Sequence, residues 1–176
     1  YAPMSSPFRA AILLGSNTEP RRHLRDAVAR LGVLGRIVAC SGVYRSADIA
    51  ARADTGDGPA YLNAALLLDT DLAPADLRLG GLKAIERDLG RVRGAAAVPI
   101  DLDLALVDGP APRDGVADPR LPHPDLLRFP HAAQPLAELL PDWRHPQDGR
   151  RLADIAQDLA ATSPARLQRV PDLDLC

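Results

Sequence analysis

The apolar positions come in short runs of changing period, and the period assigns the elements. Ala10-Ala11-Ile12-Leu13-Leu14 is unbroken and stops at Gly15-Ser16-Asn17, which predicts a buried strand ending in a tight turn. Between Pro20 and Leu34 the apolar residues Leu24, Ala27, Val28, Leu31 and Leu34 return every third or fourth position. Gly35 follows them, so one helix with one buried stripe is predicted. The segment 37–44 reads as a single second strand and 61–68 as a third, both rich in residues that suit a pleated surface. Pro74 opens a second helix whose stripe is Leu77, Leu82, Ile85 and Leu89 and which Gly90 closes, although Gly80-Gly81 weakens its middle. Residues 100–107 alternate apolar positions with Asp101 and Asp103 before turning wholly apolar, a fourth strand, and shorter helices are predicted at 125–128, 131–139 and 151–161.

The resulting order, β-α-β-β-α-β, predicts an α+β fold: a ferredoxin-like, split βαβ sheet with helices on both faces. Residues 9–161 are expected to form one domain, 1–8 a disordered or added start, and 162–176 a C-terminal tail. At 176 residues, 47% of them hydrophobic, the chain has material for one respectable core. Its 17 Pro and 13 Gly, many of the Pro in 108–124 and 141–150, predict a loop-rich second half. The long Gly/Asp/Ala segment 46–60 is of a length usually found in functional lids or disorder.

Charge narrows the partners. With 21 Lys+Arg against 23 Asp+Glu there is no overall field to draw in nucleic acid or an anionic membrane, so an anion site must be a local cluster of Arg. No apolar run approaches the roughly 20 residues that cross a bilayer. Cys40 and Cys176 show neither metal-ligand spacing nor a disulfide framework, and a reducing cytoplasm is the expected location.

The candidate chemistry lies at strand ends. Asp101 and Asp103 are i and i+2 of a strand, so both carboxylates share a face and repel unless a cation sits between them. Magnesium, which takes one or two carboxylates together with water and phosphate oxygens, suits such a pair; two Asp facing solvent from an edge strand is the other reading. Arg91 and Arg93 lie one loop away and suit phosphate through their guanidinium forks. His123, bracketed by Pro122 and Pro124, is placed to donate to a phosphate oxygen or pass a proton, or else is only a surface residue. Tyr61 and Asn63 share a strand face, an aromatic plane beside an amide, as a flat heterocycle requires; the alternative is a core Tyr and a turn-closing Asn. Gly15-Ser16-Asn17 is by itself a turn.

Taken together, Gly15-Ser16-Asn17, Tyr44-Arg45-Ser46, Tyr61-Leu62-Asn63-Ala64-Ala65, Gly90-Arg91-Val92-Arg93, Ile100-Asp101-Leu102-Asp103 and Leu121-Pro122-His123-Pro124 resemble the 6-hydroxymethyl-7,8-dihydropterin pyrophosphokinase family of folate synthesis. The resemblance spans about 10–143. It implies an ATP-dependent diphosphotransfer to a pterin alcohol, with AMP released. Asp101 and Asp103 would ligate two Mg2+ ions bridging the ATP phosphates, and Arg91, Arg93 and His123 would serve catalysis by contacting those phosphates. Glu86 and Arg128 would join the ATP site. Tyr61 and His131 would lie against the pterin ring, while Asn63, Ser46 and Ile49 would bind its edge. The segments 46–60 and 91–99 would be mobile catalytic loops.

This chain also departs from the family pattern. The family usually carries a Trp and an Arg between the second Arg and the Asp pair; here Gly94-Ala95-Ala96-Ala97-Val98-Pro99 is shorter and uncharged. After His123 an Arg and then a ring-stacking Phe are expected, whereas Phe129 and His131 occupy that region with Arg128 one residue early, so one plane of the pterin sandwich becomes imidazole. Ala47-Asp48-Ile49-Ala50 replaces a Pro-rich loop start. Two alternatives follow: a paralogue acting on a different pterin, and a non-catalytic pterin- or nucleotide-binding module.

Overall fold

The apolar run at 10–14 becomes the middle of β1 (Phe8–Ser16), and the helical stripe becomes α1 (Pro20–Leu34), with Leu24, Ala27, Val28 and Leu31 buried. The computed structural model describes residues 7–46, 60–112, 115–163 and 166–176. After α1 come β2 (Arg36–Cys40), β3 (Val43–Ser46) and β4 (Tyr61–Thr70). A short α2 (Pro74–Asp76) widens at once into a π-helical stretch (Leu77–Leu82) and regains α geometry as α3 (Lys83–Asp88). Then follow β5 (Asp101–Asp108), a 3-10 turn (Pro124–Leu127), α4 (Pro130–Leu139), α5 (Leu152–Thr162) and β6 (Gln168–Val170).

The strands lie in the order β5-β1-β4-β3-β6, with β2 also paired to β4, and every pairing is antiparallel. This is the ferredoxin-like α+β sheet that the element order predicts. Because side chains alternate across a strand, β1 divides itself between two cores. Ala10, Ile12 and Leu14 join Leu62, Leu66 and Leu68 under α1 and α3, while Ala11 joins Ala65 and Leu67 under α4 and α5. Helices therefore cover both faces.

Three expectations are corrected. The single strand over 37–44 is two strands, because Ser41 interrupts the ladder with its own side chain. Its N–H donates to Ala65 O at 2.9 Å, its Oγ accepts from Ala65 N at 2.8 Å, and the next amide, Gly42 N, donates to Glu138 Oε2 at 2.8 Å instead of to β4. The second helix is not regular, since Gly80 and Gly81 fall in the widened turn; a Cβ on Gly81 would come within 2.8 Å of Leu34 Cδ1, so the missing side chain lets this turn rest on the end of α1.

The third correction concerns the cysteines. The C-terminal segment returns to the sheet, where β6 pairs with β3 from Val43↔Val170 to Arg45↔Gln168, Leu173 is 5% exposed in the α1-side core, and Asp172 accepts from Arg21 at 2.9 Å. That return brings the Cα atoms of Cys40 and Cys176 to 5.7 Å, and the two form a disulfide across a sequence separation of 136. Spacing along the chain gave no sign of it, because the pairing is made by a distant segment coming home to a sheet edge.

The turn after β1 does more than reverse the chain. Asn17 N donates to Val98 O at 3.0 Å, its Oδ1 accepts from Val98 N at 2.6 Å, and its Nδ2 donates to Ala96 O at 2.9 Å. The far end of the 91–99 segment is thus fastened to the end of β1, directly before the Asp pair.

Two outcomes test these contacts. Reduction of the disulfide, or Cys40→Ser, is expected to lower unfolding free energy by about 2–4 kcal/mol, measured by denaturant titration with and without reductant. Asn17→Ala removes one side-chain donor and one acceptor, and is expected to speed hydrogen exchange at the Val98 amide by at least about fivefold, with the β4 amides unchanged.

Candidate active site

The register sets one row of residues across the sheet: Asp101 opposite Gly15, Gly15 opposite Asn63, and Asn63 opposite Tyr44. Residues paired in this way share a face, and the next row of the same face, Asp103, Leu13 and Ala65, belongs to the α4 side. The carboxylate pair and the Tyr61/Asn63 pair therefore stand on one face, two strands apart, with a glycine between them. A Cβ on Gly15 would lie 3.7 Å from both Asn63 Oδ1 and Tyr61 Cδ1, so the residue keeps the floor between the two groups low.

The Asp pair is held under electrostatic tension. Burial pushes the Asp101 carboxyl above its ordinary range and the neighbouring Asp103 pushes it further, against Arg91, Lys83 and His123. Asp103 is likewise raised by burial, opposed first by His123 and then by Lys83. The residue between them is fixed from the side: Leu102 N donates at 2.8 Å to Glu86 Oε1, a carboxylate on α3 that is 5% exposed. Arg91 follows Gly90, whose φ of 91° turns the chain out of α3, and Arg91 N donates to Glu86 O at 2.9 Å. Its Nη1 is buried and has no hydrogen-bond partner among the described residues.

His123 is presented by a loop whose Leu121-Pro122 bond is cis, and its N–H donates to Ala105 O of β5 at 2.8 Å. Nδ1 accepts from Asp125 N at 3.3 Å, which leaves the proton of a neutral ring on Nε2, 3.9 Å from Asp103 Oδ1. Asp101, Asp103, Glu86, Arg91 and His123 are thus brought together. Among the described residues no three His, Cys, Asp or Glu form a group that could hold a metal ion by themselves. Two half-buried carboxylates beside an orphaned guanidinium donor nevertheless fit a hard cation whose remaining ligands are water and phosphate oxygens.

The remaining predicted residues divide. Asn63 Nδ2 donates to Ser46 Oγ at 2.7 Å and to Tyr44 O at 3.2 Å, which joins those two sites and commits the amino group. Tyr61 lies on the same strand face. Ile49 falls outside the described residues, as do 47–59 of the predicted loop. His131, in the first turn of α4, stacks on Phe129 with centroids 5.2 Å apart and planes 18° apart, and burial lowers its pKa, so the ring is neutral at pH 7. Arg128 is exposed, with its guanidinium 5.2 Å from the Phe129 centroid, and Arg93 is exposed in the turn after α3. Sequence reasoning missed Gly15 as the floor of the site, undervalued Asn17, and passed over Lys83. Only the last left a trace, as a Lys three residues before an acid on a predicted helix.

Comparison with known proteins identifies a family. The family model described as 7,8-dihydro-6-hydroxymethylpterin-pyrophosphokinase matches residues 11–141. A 2-amino-4-hydroxy-6-hydroxymethyldihydropteridine pyrophosphokinase of Pseudomonas aeruginosa is 38% identical over 93% of this chain and 97% of its own length. The enzyme of the same name from Synechocystis is 33% identical over 88% of this chain and 77% of its own. Among solved structures, the wild-type HPPK-DHPS of Plasmodium falciparum with pteroate superposes with a TM-score of 0.63 at 11% identity, a likeness of fold. That match covers 92% of this chain and 44% of the longer one. The chain belongs to the 7,8-dihydro-6-hydroxymethylpterin-pyrophosphokinase family, the enzymes of folate biosynthesis that transfer diphosphate from ATP to 6-hydroxymethyl-7,8-dihydropterin.

Proposed function

We propose that this diphosphotransfer takes place at the end of the sheet where Asp101 and Asp103 meet Gly15, with ATP on the Asp101/Arg91 side and the pterin on the Asn63/Tyr61 side. The observation that carries the reading is the half-buried, same-face Asp pair with the orphaned Arg91 donor beside it. That arrangement is unfavourable alone and becomes favourable when a cation and an anion arrive together.

The hydroxymethyl oxygen of the pterin attacks the β-phosphorus of ATP, the bond from that phosphorus to the α,β-bridging oxygen breaks, AMP leaves, and the hydroxyl proton passes to water. Two magnesium ions, held by Asp101 and Asp103 and completed by water and phosphate oxygens, would supply charge neutralisation on those oxygens. Arg91 donates to phosphate through Nη1. His123 donates through Nε2, while its Nδ1 stays engaged with the Asp125 amide. Arg93 and Arg128 reach the phosphates from the surface. Glu86 acts by fixing the strand at Leu102. Transfers of this kind depend on positioning and electrostatics, so no residue is assigned as a strong base.

On the pterin side, Asn63 offers its carbonyl, since its amino group is committed to Ser46 and Tyr44, and a carbonyl suits the N–H-rich edge of a pterin. Tyr61 and His131 contribute flat faces, and Ile49 belongs to the same edge. The neutral state of His131 favours stacking over charge recognition. We place the reaction in the cytoplasm, where ATP is abundant; no described helix is long and apolar enough to cross a membrane.

Magnesium-dependent formation of AMP from ATP and 6-hydroxymethyl-7,8-dihydropterin tests the reading directly. A protein that binds both ligands and releases no AMP is the binding module instead. Asp101→Asn and Asp103→Asn are each expected to weaken Mg-ATP binding by more than about tenfold, by calorimetry, because a metal ligand is lost. Their stability has a sign of its own. A carboxyl with a raised folded pKa loses stability as pH rises through that value, so without metal both variants should match or exceed the native chain at neutral pH. The advantage should vanish as pH falls below the ordinary carboxylate range. Unchanged Mg-ATP affinity in both variants would remove the metal role.

A further inference from the structure

Lys83 belongs to no part of the mechanism above, yet it is built into the site from its far side. It is the first residue of α3, directly after the widened turn. Its Nζ donates to both carboxylate oxygens of Glu86, at 2.9 Å and 2.8 Å. Glu86 is not an ordinary surface partner. Its side chain is 7% exposed against 48% for Lys83, and its Oε1 also receives the Leu102 amide, between the two aspartates.

An i,i+3 ion pair between two exposed side chains contributes little and fixes little. Here the acidic half is buried and tied to β5, so the ammonium is anchored to the strand that carries the Asp pair. An ammonium has three protons and no acceptor; Glu86 engages two, and one is left for an oxygen that arrives from solvent. A cation so placed repels a metal ion and attracts an anion. Asp101 and Asp103 on β5, the buried Glu86 behind Leu102 and Asp125 beyond His123 gather carboxylates at this end of the strand, and Lys83 is a permanent positive charge bonded to one of them. The loop before Asp101, from Gly94 to Pro99, adds none.

We infer that Lys83 binds a phosphate oxygen of the nucleotide beside the Asp pair, with Glu86 as the positioning residue that holds the ammonium there. This rests on the reading of Asp101 and Asp103 as the metal–nucleotide site. The neutral amide or alkyl side chains that would serve a helix equally well at this position could not supply that charge.

The test measures affinities for Mg-ATP, Mg-ADP, adenosine and the pterin by calorimetry on the native chain, Lys83→Met, Lys83→Arg and the double variant Lys83→Met/Glu86→Gln. The double variant leaves no buried carboxylate uncompensated and so guards against misfolding. The expected result is a ten- to hundredfold loss of Mg-ATP affinity in both Met variants, with adenosine and pterin affinity unchanged and Lys83→Arg retaining most of the binding. Equal loss for adenosine, or unchanged Mg-ATP affinity in the folded double variant, overturns the assignment and leaves Lys83 as the counter-ion of Glu86. A native chain that binds no Mg-ATP would defeat the underlying reading instead, so the two failures are told apart.

Discussion

The repulsion between Asp101 and Asp103 is the constraint around which the functional end of the sheet is arranged. A strand fixes i and i+2 on one face, so the carboxylates cannot turn away from each other without breaking β5. Burial raises the energy of both ionised forms, and Arg91 and Lys83 from the α3 side and His123 from the loop tied to Ala105 answer it, while Glu86 fixes the strand at the Leu102 amide and adds to the negative charge. Lys83 and Glu86 come from α3, Arg91 from the turn after it and His123 from the loop before the 3-10 turn, and Glu86, Arg91 and His123 are each tied to backbone by a hydrogen bond.

The second constraint is the flatness of the surface between the two substrate regions. Gly15 is opposite both Asp101 and Asn63, and any side chain there would rise between them. The same turn supplies Asn17, which fastens Val98 and Ala96 and so determines how the chain enters β5. A three-residue segment thereby serves as floor, corner and clamp.

Much of this was legible in the residues. The Asp pair, the 3.6-residue stripe of α1 and the Tyr61/Asn63 face are local patterns, and local periodicity survives folding wherever a single face is buried. What escaped depends on partners far away in sequence. Ser41 breaks a strand because Ala65 and Glu138 receive its neighbourhood's hydrogen bonds, and Cys40 meets Cys176 because β6 finds the edge of β3. Lys83 gains its meaning from Glu86 being buried, which no helical pattern can state. Arg91 and Arg93 were singled out by type and spacing and Arg128 by resemblance; Arg91 carries a buried Nη1 with no partner among the described residues while the other two are exposed, a difference that spacing does not state.

The π-helical stretch from Leu77 to Leu82 works as a phase adjuster. Each residue of an α-helix advances the side-chain direction by roughly 100°, and one extra residue taken up in a wide turn resets the angular position of everything after it. Lys83 and Glu86 come immediately after the reset, while Leu77 and Leu82, the first and last residues of the stretch, both remain in the core. Deleting one residue within the stretch would turn everything after it by about a quarter-turn relative to Leu77, so Ile85 and Leu89 would leave the core together with Lys83 and Glu86 leaving the strand they serve. The length of this segment therefore sets, in one step, which way both the apolar stripe and the buried carboxylate of α3 point.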